Sequence, residues 1–190
     1  MAEIKRRHSM VNGILTGMAH AFYKATTIEV VYLQFRKMLE LIALGSLIAN
    51  KDIFSKVYQD FSKYWNAELI IKDVERLNPH FYPHPIIQTP SSRPGVSMDW
   101  HSRPHDYLTK DDLIKLYKKC GAIMHCGNPY GSQLDYGYYE KRMDYWSERI
   151  RNLLNSHCIR LVNDTHLYLI QMGDENGVPS YNVFGYKGPP

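Results

Sequence analysis

The alternation of hydrophobic and polar positions along the chain predicts a protein built mainly from α-helices. The longest apolar stretch, IEVVYLQFRKMLELIALGSLIAN at 28–50, carries apolar residues on nearly every side of a helix. A helix with so little polar surface must be buried, so we expect the other elements to pack around it. Asn66 and Thr109 are typical N-cap residues for helices that follow them. The other segments with helical spacing of apolar residues cover 8–26, 52–64, 67–77, 109–125 and 136–156.

Two parts of the chain lack this helical spacing. Residues 79–108 are rich in proline, histidine and serine, and we interpret them as a long irregular loop. The stretches CIRLVND, HLYLIQM and SYNVFGYK favour β-structure, and DENG between the last two predicts a turn. We therefore predict one mainly α-helical domain: a bundle of five to six helices over 1–157, with a C-terminal antiparallel β-hairpin or three-stranded ribbon over 158–190.

Composition and charge narrow the class of protein only slightly. The net charge of +4 is a weak basic bias, which is compatible with a polyanionic partner such as RNA. Cys120, Cys126 and Cys158 match no zinc-ribbon or CxxC spacing, so we expect reduced thiols in a cytoplasmic protein. No apolar run is long enough to cross a bilayer, and the sequence indicates no cofactor.

Three charged or titratable residues form the first candidate site. Arg36 and Glu40 lie one turn apart on the apolar helix, and a buried Arg needs a carboxylate partner or an anionic ligand. His125 lies just before the expected end of a later helix, where it can act as an acid or base near neutral pH. Two interpretations stay open. The three residues line one catalytic cavity, or Arg36 and Glu40 tie the helix to a neighbour while His125 caps a carbonyl.

Two stretches carry a resemblance to a known family. FRKMLELIALGSLIAN at 35–50 and YKKCGAIMHCGNP at 117–129 resemble helices of HEPN-like proteins, the small helical domains of prokaryotic toxin and phage-defence systems. The resemblance covers roughly residues 8–157. Catalytic members of that family carry an arginine, a polar residue and, a few positions later, a histidine. Arg151, Asn152 and His157 match this pattern.

The resemblance implies a metal-independent endoribonuclease of a defence or toxin system. In such an enzyme the histidine helps to deprotonate the ribose 2′-hydroxyl and the arginine stabilises charge on the phosphate. It also implies a homodimer, and a cognate antitoxin or another defence-system protein as partner. In this chain the Arg151–His157 match lies at the end of its helix, and Lys118 or Lys119 stands where the other helix would carry the arginine.

Basic and aromatic residues also occur together on the two predicted helices at 109–125 and 136–156, and on the later helix four of them lie close to one face. Such a surface can follow phosphates and stack bases, although interspersed acids are equally typical of an ordinary solvated helix. We predict a nucleic-acid contact for this surface. The residues concerned are Lys118, Lys119, Tyr138, Arg142, Tyr145 and Arg149, with Glu140, Asp144 and Glu148 between them.

Two further functions remain open from the sequence. A non-catalytic dimerisation or protein-docking module would use the apolar helix and the tyrosine-rich surface. A metal-dependent hydrolase would use the histidines of the 79–108 segment, which form two HxxxH pairs. Each pair has a proline before its second histidine, which argues against the helix that would bring both rings together. The pairs are His80 with His84 and His101 with His105.

Overall fold

A computed structural model describes the protein over residues 1–51, 66–125, 133–162, 164–173 and 177–185. Its helices pack on a five-stranded antiparallel sheet, so the fold is α/β and our prediction of a mainly α-helical bundle was wrong. The helices are α1 (Ala2–Leu15), α2 (Lys24–Ala49), α3 (Ala67–Leu77), α4 (Lys110–Ile123), α5 (Tyr136–Glu140) and α6 (Met143–Leu154). The strands are β1 (His84–Pro90), β2 (Met98–Ser102), β3 (Ser156–Ile159), β4 (His166–Gln171) and β5 (Ser180–Gly185).

Helix α2 is the centre of the core, as its sequence predicted. Each of the other helices named above contacts it. Val31, Tyr32, Phe35 and Met38 on α2 are completely buried, and each such side chain contributes roughly 1.5–3 kcal/mol through loss of apolar surface from water. In the described ranges, no helix combines the length and the apolar character needed to span a membrane.

The predicted helix starts were confirmed where a capping side chain marks them. The Oδ1 atom of Asn66 accepts hydrogen bonds from the backbone of Glu68 and Leu69 at the start of α3. The Oγ1 atom of Thr109 accepts one from the backbone of Asp112 at the start of α4. These caps satisfy N–H groups that have no partner within the helix.

Several predicted helix boundaries were wrong. The expected helix over 8–26 ends at Leu15 because Gly17 follows with a φ of +75°, a left-handed conformation that terminates helices. The expected helix over 136–156 is divided into α5 and α6, and Ser156 already begins β3. The segment 52–64 falls outside the described residues.

The sheet contains the segment that we had interpreted as a loop. Residues 79–108 form the β1–β2 hairpin, and β1 joins the C-terminal strands through β3, giving the order β2-β1-β3-β4-β5. The sequence did not predict β1 because the strand contains Pro85 and Pro90, and proline cannot donate a hydrogen bond to a neighbouring strand. Both prolines lie near the ends of the strand, where a missing donor interrupts the ladder least.

The sheet curls strongly around one of its faces. Ile86, Cys158 and Leu169 form a small apolar cluster on that face, and Trp100 packs against it. The rings of Trp100 in β2 and Phe184 in β5 lie 4.8 Å apart between centroids, although these are the two edge strands. In a flat sheet, strands four positions apart are separated by about 19 Å. The contact therefore requires the two edges to bend towards each other.

A buried asparagine fastens the helices to the sheet. The Nδ2 atom of Asn78, at the end of α3, donates to Oδ1 of Asn50 at 3.0 Å and to the carbonyl oxygen of Arg160 at 2.8 Å. Its Oδ1 atom accepts from the backbone of His80 at 3.0 Å. One side chain thus joins the ends of α2 and α3 to the residue that follows β3.

We expect Asn78→Ala to lower the free energy of unfolding by about 3 kcal/mol, because it leaves several buried polar groups without partners. Urea denaturation followed by circular dichroism measures this loss. The exposed Asn155 is the matched control, and Asn155→Ala should change stability little. Equal stabilities of the two variants would contradict this account of the Asn78 hydrogen bonds.

Candidate nucleic-acid interface

The side chain of Arg36, which is partly exposed, is engaged by partners within the fold. Its Nε atom donates to Oε1 of Glu40 at 3.1 Å, and its Nη2 atom donates to the hydroxyl of Tyr117 at 3.0 Å. The guanidinium also lies 4.4 Å from the centroid of the Tyr117 ring. Lys37 supplies a second cation to Glu40 at 3.3 Å. Arg36 and Glu40 therefore tie α2 to α4, which is the structural alternative left open by the sequence.

His125 does not complete a site with this pair. It lies just beyond the end of α4 and is exposed, and its backbone N–H donates to the carbonyl of Ala122 at 3.4 Å. Within the described ranges, no hydrogen bond or ion pair joins its side chain to Arg36 or Glu40. Arg36 and Glu40 therefore bind each other, whereas His125 is bonded to neither of them in the described structure.

The three residues of the HEPN-like match lie in different surroundings. Arg151, on the last turn of α6, is exposed and lies 3.2 Å from Oε1 of Glu148. The Nδ2 atom of Asn152 donates to the backbone carbonyl of Asp106 at 2.7 Å, which fixes the loop after β2. His157 lies in β3 rather than on a helix.

His157 is buried, with 1% of its surface exposed. Its Nδ1 atom donates to the carbonyl oxygen of Leu154 at 2.9 Å. Burial disfavours the charged imidazolium and lowers the pKa of His157 to about 4, although the Leu154 carbonyl acts in the opposite direction. An imidazole in this position is neutral at pH 7 and almost inaccessible from solution.

A continuous alternation of cations and tyrosine rings runs over α4, α5 and α6. The Nζ atom of Lys119 donates to the hydroxyl of Tyr138 at 2.7 Å and lies 4.6 Å from its ring centroid. The Arg142 guanidinium lies 5.7 Å from the Tyr138 centroid and 5.6 Å from that of Tyr145. The Arg149 guanidinium lies 4.5 Å from the Tyr145 centroid. We call these five residues the cation–tyrosine ladder.

Two cations of the ladder lack a carboxylate partner. In the part of the chain that the structure describes, neither Lys119 nor Arg142 forms an ion pair with Asp or Glu. The hydrogen bond from Lys119 lowers the pKa of the Tyr138 hydroxyl, because the ammonium favours the phenolate form. Tyr138 and Tyr145 are each 38% exposed, so part of each ring is open to a ligand.

Several charged residues near the ladder form ion pairs with residues outside it. Glu140 pairs with Lys24 at 2.6 Å, and Glu148 pairs with Arg151 at 3.2 Å. Two of the acids that interrupt the basic pattern in the sequence are therefore engaged by cations outside the ladder. Lys118 is also outside it, since its Nζ atom lies 3.2 Å from Oε1 of Glu68 on α3.

The ladder ends at a small cavity of about 240 Å³ that sequence reasoning missed. Arg149 is fixed there because its Nη1 atom donates to the carbonyl of Tyr107 at 2.8 Å and lies 3.4 Å from Oδ2 of Asp112. Arg103 also lines this cavity and brings a second guanidinium to it; among the described residues, its buried Nε–H group has no hydrogen-bond partner. No periodicity or motif singles out Arg103 in the sequence. The cavity is lined by Arg103, Asp106, Tyr145, Glu148, Arg149 and Asn152.

His84 and His101, one from each predicted pair, lie on opposite faces of the sheet. His84 hydrogen-bonds with Ser102 on one face, at 2.9 Å, and His101 with Thr89 on the other, at 3.2 Å. Among the described residues, no three His, Cys, Asp or Glu side chains are grouped closely enough to hold a metal ion. The arrangement therefore does not support hydrolysis at a metal held by these histidines.

The cysteines offer no reactive thiol in the described ranges. Cys120 and Cys158 are buried and unpaired, and Cys126 lies outside those ranges. Burial raises the pKa of the Cys120 thiol to about 12, so the nucleophilic thiolate is not populated at neutral pH.

Comparisons with protein-family models, with curated proteins and with solved structures find no match. The chemistry of the ladder is therefore the main guide to function. Tyrosine rings stack on bases, and the cations beside them attract phosphates. An arginine such as Arg142 can do both, because its planar guanidinium stacks and donates hydrogen bonds.

We expect the stability of the protein to fall between pH 6.5 and 4 because of His157. In this window the unfolded chain binds a proton on His157 while the folded chain does not, so acidification favours unfolding. The loss of stability should approach roughly 3 kcal/mol at pH 4 and become negligible above about pH 7.5.

Urea unfolding of the wild type and His157→Leu between pH 4 and 7 isolates this contribution, since the variant lacks the titrating group. NMR spectroscopy of the imidazole C–H groups provides the second measurement, and the His157 resonance should not move between pH 5.5 and 8. A titration midpoint near 6.5 would mean that His157 is accessible to solvent, as a catalytic base would be.

Proposed function

We propose that this protein binds single-stranded RNA through the cation–tyrosine ladder. The observation that carries the proposal is that Lys119 and Arg142 lie beside tyrosine rings while no carboxylate of the described residues neutralises them. Proteins that bind single strands combine exposed aromatic rings with cations that follow the backbone. A cation already held beside a ring needs little further ordering when it binds a phosphate.

The dimensions of the ladder favour unpaired bases over a duplex. The distances through Arg142 place the Tyr138 and Tyr145 centroids at most about 11 Å apart, and both rings are partly open. Stacking on these rings requires bases that are accessible on their flat faces, which the interior of a duplex does not provide. Arg103 lines the cavity beside Arg149 and adds a further positive charge for a phosphate at that end of the ladder.

Binding is better supported than cleavage by the residues of the HEPN-like match. His157 is buried, and Arg36 is engaged by Glu40 and Tyr117. Neither is placed to act on a ribose or phosphate in solution. We therefore propose an RNA-binding module in which these residues have structural roles.

Docking of a protein partner is the second candidate function. It is favoured by β5, an edge strand on which Tyr181 and Val183 are 71% and 48% exposed. This strand carries no charged side chain and no proline, the features that usually protect an edge from pairing with another chain. A homodimer and an antitoxin or defence-system partner remain predictions of the sequence resemblance.

We expect Tyr145→Ala to weaken binding of a labelled oligouridylate by roughly 5- to 100-fold, because a stacking surface is lost. Tyr145→Phe keeps the ring and should retain most of the affinity. Arg142→Gln should make the slope of log K against log[salt] shallower by about 0.7, the value for one phosphate contact on a single strand. Fluorescence anisotropy at several salt concentrations measures all three effects.

Lys118→Gln is the matched control, because Lys118 is a neighbouring lysine that pairs with Glu68 outside the ladder. It should change affinity by less than about twofold. If the folded wild type binds no RNA, or if the ladder variants bind as tightly as the control, the RNA assignment fails and protein docking becomes the leading function.

We expect the wild type to leave mixed RNA intact in EDTA, since His157 is buried and, among the described residues, no hydrogen bond or ion pair joins His125 to Arg36 or Arg151. Denaturing gel electrophoresis of RNA incubated with the wild type and with Arg151→Ala tests this. Arg151 is exposed, so its loss should not unfold the chain. Cleavage by the wild type that disappears in Arg151→Ala would restore the endoribonuclease interpretation.

A further inference from the structure

An apolar cavity of about 220 Å³ lies between the sheet and the helices α1 and α2. Ile4 of α1, Ile42 of α2 and Ile170 of β4 form part of its wall, together with Phe81 and Leu154. No residue of the cation–tyrosine ladder lines it. It is therefore separate from the proposed RNA surface.

His157 lines this wall, and its Nε2 atom accepts no hydrogen bond from the described residues. Its Nδ1 atom must carry the hydrogen, because its partner at 2.9 Å is the Leu154 carbonyl, which can only accept. A neutral ring with hydrogen on Nδ1 has a lone pair on Nε2. Within the described ranges, His157 makes no other hydrogen bond, and only 1% of its surface is exposed.

The other buried polar side chains of the wall are already satisfied. The Oγ atom of Ser46 donates to the carbonyl of Ile42 at 3.1 Å. Asn50 donates to the carbonyl of Ser46 at 2.8 Å and accepts from Asn78 at 3.0 Å. Arg160 also lines the cavity but is exposed. Among the buried side chains of the wall, a water molecule would thus find few partners besides Nε2, whereas buried waters usually have two to four. The chemistry favours an occupant that is mostly apolar.

We propose that this cavity binds a small, flat, largely apolar molecule that donates one hydrogen bond to Nε2 of His157. A dry cavity of about 150 Å³ is enough for benzene, so the larger space here suits a bicyclic aromatic ring. Gly45 on α2 lines the cavity, and an added Cβ there would meet no atom of the described residues within 4 Å, so we place the entry beside it. The histidine that resembles a catalytic residue in the sequence is, in this account, the specificity residue of a ligand site.

Indole and benzofuran form a matched pair of probes for the wild-type chain. They share size and shape, but indole has an N–H donor where benzofuran has an acceptor oxygen. We expect indole to bind roughly two- to tenfold more tightly, because it alone satisfies Nε2. Isothermal titration calorimetry measures both affinities, and NMR spectroscopy places the ligand by shifts of the Ile42 and Ile170 methyl groups.

Substitutions at His157 and Gly45 test the hydrogen-bond acceptor and the opening of the cavity. His157→Leu should abolish the preference for indole, because the wall loses the acceptor at Nε2. Gly45→Phe should weaken both ligands by obstructing the opening, while Gly45→Ala should leave both affinities nearly unchanged. The Gly45 variants therefore test the site even if His157→Leu does not fold.

Equal affinity of the wild type for indole and benzofuran would overturn the role of His157 as an acceptor. Failure of both ligands to bind at their solubility limits would overturn the site itself. RNA binding by the ladder would be unaffected by either result, so the two proposals can fail separately.

Discussion

The burial of α2 is the constraint on which the rest of the structure depends. Because nearly every side of this helix is apolar, the other described helices all pack against it. Tyr32 on α2 packs edge-to-face against Tyr139 at 4.9 Å and donates a hydrogen bond to its backbone carbonyl at 3.0 Å. This contact docks α5, so that the adjacent Tyr138 remains at the surface beside Lys119. The packing of α5 on α2 thus determines where the ladder lies on the surface.

Arginine has two distinct roles in this protein, and the presence of a carboxylate distinguishes them. Arg36 lies over Tyr117 but is also bound by Glu40, so its charge is used within the fold. Arg142 contacts two tyrosine rings and forms no ion pair with a described carboxylate. An unneutralised cation at the surface attracts anions, whereas a paired one contributes mainly to packing. This difference is why we place function on α5 and α6 rather than on α2.

Sequence reasoning succeeded where the signal is local. The buried helix, the caps at Asn66 and Thr109, and the shared face of Tyr138, Arg142, Tyr145 and Arg149 all follow from residues within a few turns. It failed where distant segments meet. Pairing of β1 with β3 depends on strands far apart in the chain, and the prolines of β1 conceal its pattern. Likewise, the burial of His157 follows from a strand that directly succeeds α6, which no short motif reveals.

NMR chemical-shift mapping with a single-stranded oligoribonucleotide shows directly whether RNA contacts the ladder. Saturating RNA should perturb the ring signals of Tyr138 and Tyr145 and the guanidinium signals of Arg142 and Arg103. The signals of Lys118 and Glu68, on the other side of α4, should stay in place. Perturbations confined to that other side, or to β5, would contradict the claim even if the protein binds RNA.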